Sequence, residues 1–505
     1  MVAAAKATQT APLALLQKAG AIRSSYLFHY KRFLLDAFPK GTGFPALQAP
    51  AMPSDLPVAN VQAFSIDDSS TTEIDDALSV QGLGTSEITV GIHIAAPGLV
   101  IRPESAIDNV ARHRLSTVYM PGHKITMLPD EVVQTYTLSE GRPVPALSLY
   151  VTLDAATLDV KASRSAIEAV PIAANLRHDQ LDEVLTQEAF DAGLADVQLQ
   201  GIGSLDSATL CDQLQFLYTL AKKLKAQREV VRGKPENFNR PDYNFKLQGK
   251  AGDEPDGSET VVISVRKRGS PLDLIVAEAM ILANSTWGQW LADLGVPAIY
   301  RSQASLAPGV KVRMGTRAQP HAGIGVKCYA WSTSPLRRYT DLVNQWQIIA
   351  CVQNGSTAAL VAPFKPKDAQ LLSIISGFDA AYTSYNGFQA SMERLWTLKA
   401  LQQQGITELE ATLFKDGLVR ADAWPLVLPV MGADGLPRGV RVRVKLGQID
   451  EIALDVSGTV LERLDALVVA DAQGGVDGEE EGEDEEVVAG PLAIAVDVNE
   501  DNPAP

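Results

Sequence analysis

Between Asp67 and Asp76 the chain carries five carboxylates within ten residues: Asp67, Asp68, Glu73, Asp75 and Asp76, in FSIDDSSTTEIDDALSV (64–80). Apolar, strand-like stretches flank the segment. Like charges held this close repel one another unless a cation compensates them. Oxygen-only ligands suit a hard ion such as Mg²⁺ or Mn²⁺. Magnesium takes few carboxylates and keeps several waters, so a substrate phosphate is the natural completion of such a site. The EF-hand pattern is missing, since the segment lacks the central Gly and the closing Glu of that loop. The plain alternative is a solvated Asp/Ser/Thr turn with helix-capping duties.

A second feature stands far along the chain, in STSPLRRYTDLVNQ (332–345). Arg337 and Arg338 follow a Ser-Pro turn and open a helical run, where guanidinium groups suit a phosphate. Backbone N–H groups at a helix start add to that. The competing reading is a surface salt-bridge pair.

A phosphate polymer as partner conflicts at first with a net charge of −16. That charge is unevenly spread. Residues 471–505 hold 12 acidic and no basic residues, so −16 less −12 leaves −4 on the first 470. The tail reads as disordered and solvated. Three scattered cysteines, Cys211, Cys328 and Cys351, make neither a disulfide framework nor a four-ligand zinc site. The first residues lack a signal-peptide pattern, and no apolar stretch is long enough to span a bilayer. The expectation is a cytoplasmic protein without a membrane partner, acting as a monomer.

The pattern along the chain predicts an α+β fold. A helical patch at 15–38 and a Pro/Gly-rich linker fill residues 1–55. Short strands follow in VQAFSID, ALSVQGL and EITVGIHIAA. Residues 165–232 read mainly as helix, with Leu214, Leu217, Leu220 and Leu224 at helical spacing. Helices are predicted over 271–295, ended by Gly295, and over 367–404. After Gly405, four or five short strands in about 60 residues have the size of an OB-fold barrel. In VRVRVKL, Val440, Val442, Val444 and Leu446 alternate with Arg441, Arg443 and Lys445, which puts the three cations together on the outer face. They serve either as a solvated strand face or as phosphate contacts. Cations at 222–246 and in VRKR (265–268) are further candidates for an RNA channel, against a solvated-face reading for about half of them.

Five motifs in consistent order over about 300 residues resemble the ribonuclease II (RNB) family of 3′-to-5′ exoribonucleases. They are the acidic segment, GIHIAAPGLVIRPESAIDNVARHRLSTVYMPGHKITMLPDEV, RPDYNF (240–245), IVAEAMILAN (275–284) and TSPLRRY (333–339). The resemblance implies an RNB catalytic domain of mixed sheets and helices over 56–404 and an OB-fold-like RNA-binding domain over 405–468, followed by the acidic tail that the charge run places over 469–505. It implies hydrolysis of single-stranded RNA with Mg²⁺ (or Mn²⁺), releasing nucleoside 5′-monophosphates. Asp67 and Asp76 then fall on metal-ligand positions, and Glu73 and Asp75 on the accompanying acidic positions that serve metal contact and catalysis. Arg337 falls on the arginine that grips the scissile phosphate, with Arg338 beside it. Tyr119 falls on the aromatic that stacks on the terminal nucleotide, and Phe238 on its partner in the clamp.

The chain departs from the family pattern at several points. Glu73 replaces an Asp. Ala95 replaces the Asp of the HIAD segment, and LVNQW replaces a His-Arg pair. The family's late Glu aligns to Ala390. Cold-shock domains, common ahead of the catalytic region, do not fit into residues 1–55. These departures motivate the rival expectation, a catalytically silent RNA-binding protein with the same fold.

Overall fold

In a computed structural model of the 505-residue chain, the described residues are 13, 15–17, 19–45, 50–69, 71–236, 242–250, 252, 254–266, 269–415, 417–464 and 493–494. Helix α1 (Ser25–Ala37) comes first, capped by the Ser24 side chain. Strands β1 (Ala63–Asp67), β2 (Asp76–Gln81) and β3 (Glu87–Ala95) follow. Helix α2 (Ala106–Arg114) and the hairpin β4 (Val118–Met120)/β5 (His123–Ile125) lead to the long strands β6 (Pro143–Asp154) and β7 (Val160–Arg177).

Strands β1, β2, β3, β6 and β7 form a closed barrel, sealed where β7 runs parallel to β1. Period-two patterning fills its interior with Phe64, Leu78, Val90, Ile92, Leu149 and Leu176, all buried. The helical expectation over 165–232 fails from 165 to 177. Residues 160–177 are strand, because β7 pairs with β6 from Val160 to Pro171 and with β1 from Ile172 to Arg177, which closes the barrel. The Ala-rich composition of that stretch reads as helix locally, and non-local pairing overrides it.

Helix α3 (Ser207–Arg232) buries Leu214, Leu217 and Leu220. The hairpin β8 (Asp242–Gln248)/β9 (Thr260–Arg266) precedes α4 (Pro271–Asp293), which starts on a Ser270–Asp273 capping box. Gly295, just past its end, takes a left-handed φ of +68°. Strands β10 (Tyr300–Ser302) and β11 (Arg313–Gly315) pair antiparallel. Helix α5 (Tyr339–Asn354) is buried on every side from Tyr339 to Cys351. Helix α6 (Ala369–Gln403) runs 35 residues. Tyr26, Tyr30 and Phe33 of α1 pack against Tyr385, Phe388 and Trp396 of α6, with Phe33 and Phe388 stacked at 3.8 Å between ring centroids.

Strands β12 (Glu408–Lys415), β13 (Leu418–Ala421), β14 (Val427–Met431), β15 (Arg441–Leu446) and β16 (Gly458–Arg463) close a second barrel. β16 lies parallel to β14 and antiparallel to β15, a Greek-key closure of OB-fold type. Val440, Val442 and Val444 are buried inside it. Among the described residues, no helix is long and apolar enough to cross a membrane. The acidic tail lies outside the described residues, except for positions 493–494.

Candidate active site

The acidic segment is a loop between two barrel strands. β1 ends on Asp67 and β2 begins on Asp76, and the antiparallel register Phe64↔Leu78 brings the two ends together. The loop is pinned from several sides. Arg177 Nη1 donates to the Asp68 carbonyl (2.9 Å), the Ile74 N–H donates to Thr137 Oγ1 (2.8 Å), and Ser69 Oγ donates to Asp179 (2.5 Å). Such bracing is what repelling carboxylates require in order to stay grouped. The loop opens on a cleft of about 750 Å³ walled by the β4/β5 hairpin, β8, Arg337 and α6.

Asp75 is buried and fully engaged. Its Oδ1 accepts the Leu336 N–H (2.9 Å) and its Oδ2 accepts Arg337 Nε (3.0 Å). Residues 261 and 262 positions apart in the chain are thereby joined. Burial pushes the Asp75 carboxyl up to about 7, against the opposing pull of Arg337. Burial, then Asp67 and Asp75, push Asp76 up to about 8. Burial also raises Asp67, whose Oδ2 is buried without a hydrogen-bond partner. Arg337 lines the cleft with its side chain 40% exposed, and against the lowering effect of burial its neighbours, Asp75 foremost, hold its pKa above the ordinary value.

Among the described residues, no three His, Cys, Asp or Glu side chains form a ready-made metal cage. The orphaned Asp67 oxygen and the strained Asp67/Asp76 pair are nevertheless what a hard cation would relieve. Two carboxylates completed by waters and phosphate is the Mg²⁺ pattern. The donor set therefore fits that ion, with Asp67 and Asp76 as the residues that would hold it.

Glu73 is differently occupied. It is buried and receives Lys124 Nζ at 2.8 Å and the Tyr119 hydroxyl at 3.2 Å on Oε2, and the Thr117 hydroxyl at 3.5 Å on Oε1. Sequence reasoning did not single out Lys124. Tyr119 stands on the cleft wall with 36% of its surface exposed.

Arg338 does not line the cleft with its neighbour. Its guanidinium makes a two-pronged contact with Asp341 (2.8 and 2.6 Å) and lies 4.4 Å from the Trp331 ring. Phe238 lies outside the described residues, as do Arg240, Lys267 and Arg268. Arg441 pairs with Glu410 (2.7 Å) and Asp422 (3.1 Å), and Arg443 with Glu462 (2.6 Å). Lys445 follows, exposed, on the same face of β15. Of the basic residues in 222–246, Lys246 lines the cleft. Lys222, Lys223 and Lys225 face Asp191, Asp159 and Glu229, and Arg228 is buried between Glu278 and Glu236. Those four are paired with carboxylates, Lys225 with one on its own helix, and none of them lines the cleft.

Two departures prove to be one. Gln345 Nε2 donates to the Ala95 carbonyl (2.8 Å) and its Oε1 accepts the Gly98 N–H (2.8 Å). The Ala95 N–H in turn donates to the Asp75 carbonyl (2.8 Å). A neutral amide thus fastens the strand end behind the acidic loop without a charged pair. Near the position aligned to Ala390 the structure places a different residue, a carboxylate, in the cleft wall. Ala390 is exposed on α6, whereas Glu393, one turn on, lines the cleft and accepts Gln389 Nε2 (2.8 Å). Burial raises its pKa. A signal was there, since Glu393 is the one carboxylate between Asp379 and Glu408.

The family model described as "RNB domain" matches residues 57–311 and 309–354. An uncharacterized ribonuclease of Synechocystis sp. is 29% identical over 373 residues, covering 68% of this chain and 50% of its own length. Exoribonuclease 2 of Vibrio parahaemolyticus is 24% identical, covering 59% of this chain and 49% of its own length. The chain thus spans about half the length of these relatives. In fold it resembles RNase R of Mycoplasma genitalium (TM-score 0.68, 14% identity, 87% of this chain and 78% of that one). It also resembles yeast Ssd1, described as a pseudonuclease (TM-score 0.58, 15% identity, 83% of this chain and 58% of that one). A match over more than half of the chain, spanning the acidic loop and the arginine turn that the fold brings together, settles the family: this protein belongs to the RNB family.

Proposed function

We propose that this chain is a 3′-to-5′ exoribonuclease that hydrolyses single-stranded RNA with Mg²⁺ (or Mn²⁺) and releases nucleoside 5′-monophosphates, acting as a monomer in the cytoplasm. The observation that carries the proposal is one cleft joining the mutually repelling Asp67/Asp76 pair, with one Asp67 oxygen lacking a hydrogen-bond partner, to an arginine held in place by Asp75. A divalent cation bound there would neutralise phosphate charge and make water a better nucleophile. Arg337, steadied through Nε, offers its remaining N–H groups to the phosphate oxygens on which charge builds during attack. Tyr119 offers a ring face for stacking, which tolerates every base. Lys246 adds positive charge to the cleft wall, where it would meet the RNA backbone.

A second reading, RNA binding without hydrolysis, is favoured by the likeness to a pseudonuclease fold and by the engagement of Glu73 with Lys124. Incubation with RNA labelled at either end, with and without Mg²⁺, decides between them. Stepwise shortening of 5′-labelled RNA that stops on adding EDTA supports the enzyme. RNA retained on a filter and never shortened refutes it.

A further inference from the structure

Tyr119 and Lys124 are directly opposite each other in the β4/β5 hairpin, so their side chains leave on the same face. Both reach one oxygen, Glu73 Oε2, and Lys124 also donates to Thr72 Oγ1 (2.6 Å). The Glu73 side chain is 3% exposed, and Thr117 approaches its other oxygen. With three donors on it, this carboxylate has little capacity left for a cation, and Lys124 already balances its charge. The Glu73 carboxylate is thus engaged with the hairpin through Lys124 and Tyr119.

We infer that Glu73 and Lys124 act together as positioning residues that clamp Tyr119 to the acidic loop, and that Glu73 is not a metal ligand. The inference rests on the proposed function for what Tyr119 does, namely stacking on the terminal nucleotide. A phenol held at its hydroxyl keeps its ring face presented to the cleft, so less order has to be gained when the nucleotide arrives. Lys124 therefore governs how firmly the RNA end is held, while the cation depends on Asp67 and Asp76.

The test has two arms. In the first, Mn²⁺ binding is measured by calorimetry for the parent protein, Asp76→Asn, and the double variant Glu73→Gln/Lys124→Met, which leaves local net charge unchanged. The double variant is expected to bind within about threefold of the parent, and Asp76→Asn about tenfold or more weakly. A double variant as weak as Asp76→Asn overturns the inference.

In the second arm, RNA ending in 3′-terminal 2-aminopurine is bound in an Asp75→Asn background, reading anisotropy for binding and quenching for stacking. Lys124→Met and Tyr119→Phe should each weaken binding about fivefold and reduce quenching, the pair together no more than one alone, and Lys124→Arg should restore most of it. Additive losses, or a Lys124→Met variant that quenches like the parent, overturn the inference. Thermal melts of each variant show that it is folded. If the Asp75→Asn background binds no RNA while the Mn²⁺ arm behaves as stated, the functional reading fails and the assignment of Glu73 stands.

Discussion

Replacing Asp75 with Asn exchanges one oxygen for an amide nitrogen at the junction on which the proposed chemistry depends. Asn Oδ1 can still accept the Leu336 N–H, now at 2.9 Å. Its amide nitrogen must then face Arg337 Nε, donor against donor, where a carboxylate oxygen now accepts at 3.0 Å. A charge-assisted hydrogen bond is lost, and because the Arg337 side chain is 40% exposed, water screens part of it. That places the loss at about 1–2 kcal/mol. The same change removes a charge that helps to push Asp76 upward, so relief of repulsion offsets much of the loss in stability. The melting temperature should shift by less than about 5 °C. Turnover should fall much further. An arginine that swings free of the phosphate forfeits stabilisation needed only in the transition state, worth about 100-fold or more. Single-turnover cleavage of 5′-labelled RNA, with filter binding on the same samples, reads both. Cleavage within threefold of the parent, or loss of RNA binding in step with cleavage, would refute this reasoning.

Three other perturbations test separate parts of the structure. The Asp75 and Asp76 carboxyls titrate at about 7 and about 8 in the folded protein against 3.8 when free, so the fold binds protons more tightly than the unfolded chain. Metal-free protein should be most stable below the free value and lose stability as pH rises through 7 and 8, so Mg²⁺ should raise the melting temperature at about pH 8.5 and have little effect at about pH 5.5. Equal stabilisation at both would contradict the placement of the cation. Arg228→Met leaves Glu278 buried without its cation and should cost about 3–5 kcal/mol in denaturant unfolding, with a change below about 1 kcal/mol as the contrary result. Gln345→Leu strands the Gly98 N–H and the Ala95 carbonyl and should cost about 2–4 kcal/mol, and a full-strength variant would show that this amide does not brace the acidic loop.

Much of the scaffold was legible because its signals are local. Alternation marked β1, β2, β3 and the strands of the second barrel, and Gly295 marked the end of α4. The stretch now in β7 was misread because its Ala-rich sequence carries no strand signal of its own; pairing with β6 and β1 makes it a strand. The missed carboxylate illustrates a different gap. Aligning one helical position to another cannot say which turn of a long helix faces a cleft, and α6 presents Glu393 there while Ala390 points to water.

Residue chemistry alone established the grouping of carboxylates around Asp67–Asp76, the arginine pair, and a charge imbalance concentrated in the tail. How those charges are shared out was decided by packing. Arg337 meets Asp75 in the cleft while Arg338, one residue on, turns to Asp341 and Trp331. Glu73 joins Lys124 and Tyr119 instead of its acidic neighbours. The three cations of β15 share the outer face their alternation requires, yet Arg441 and Arg443 are engaged by Glu410, Asp422 and Glu462. A charge's partner depends on which distant segment the fold lays against it and on which way each side chain leaves its strand or helix. Spacing along the chain contains neither.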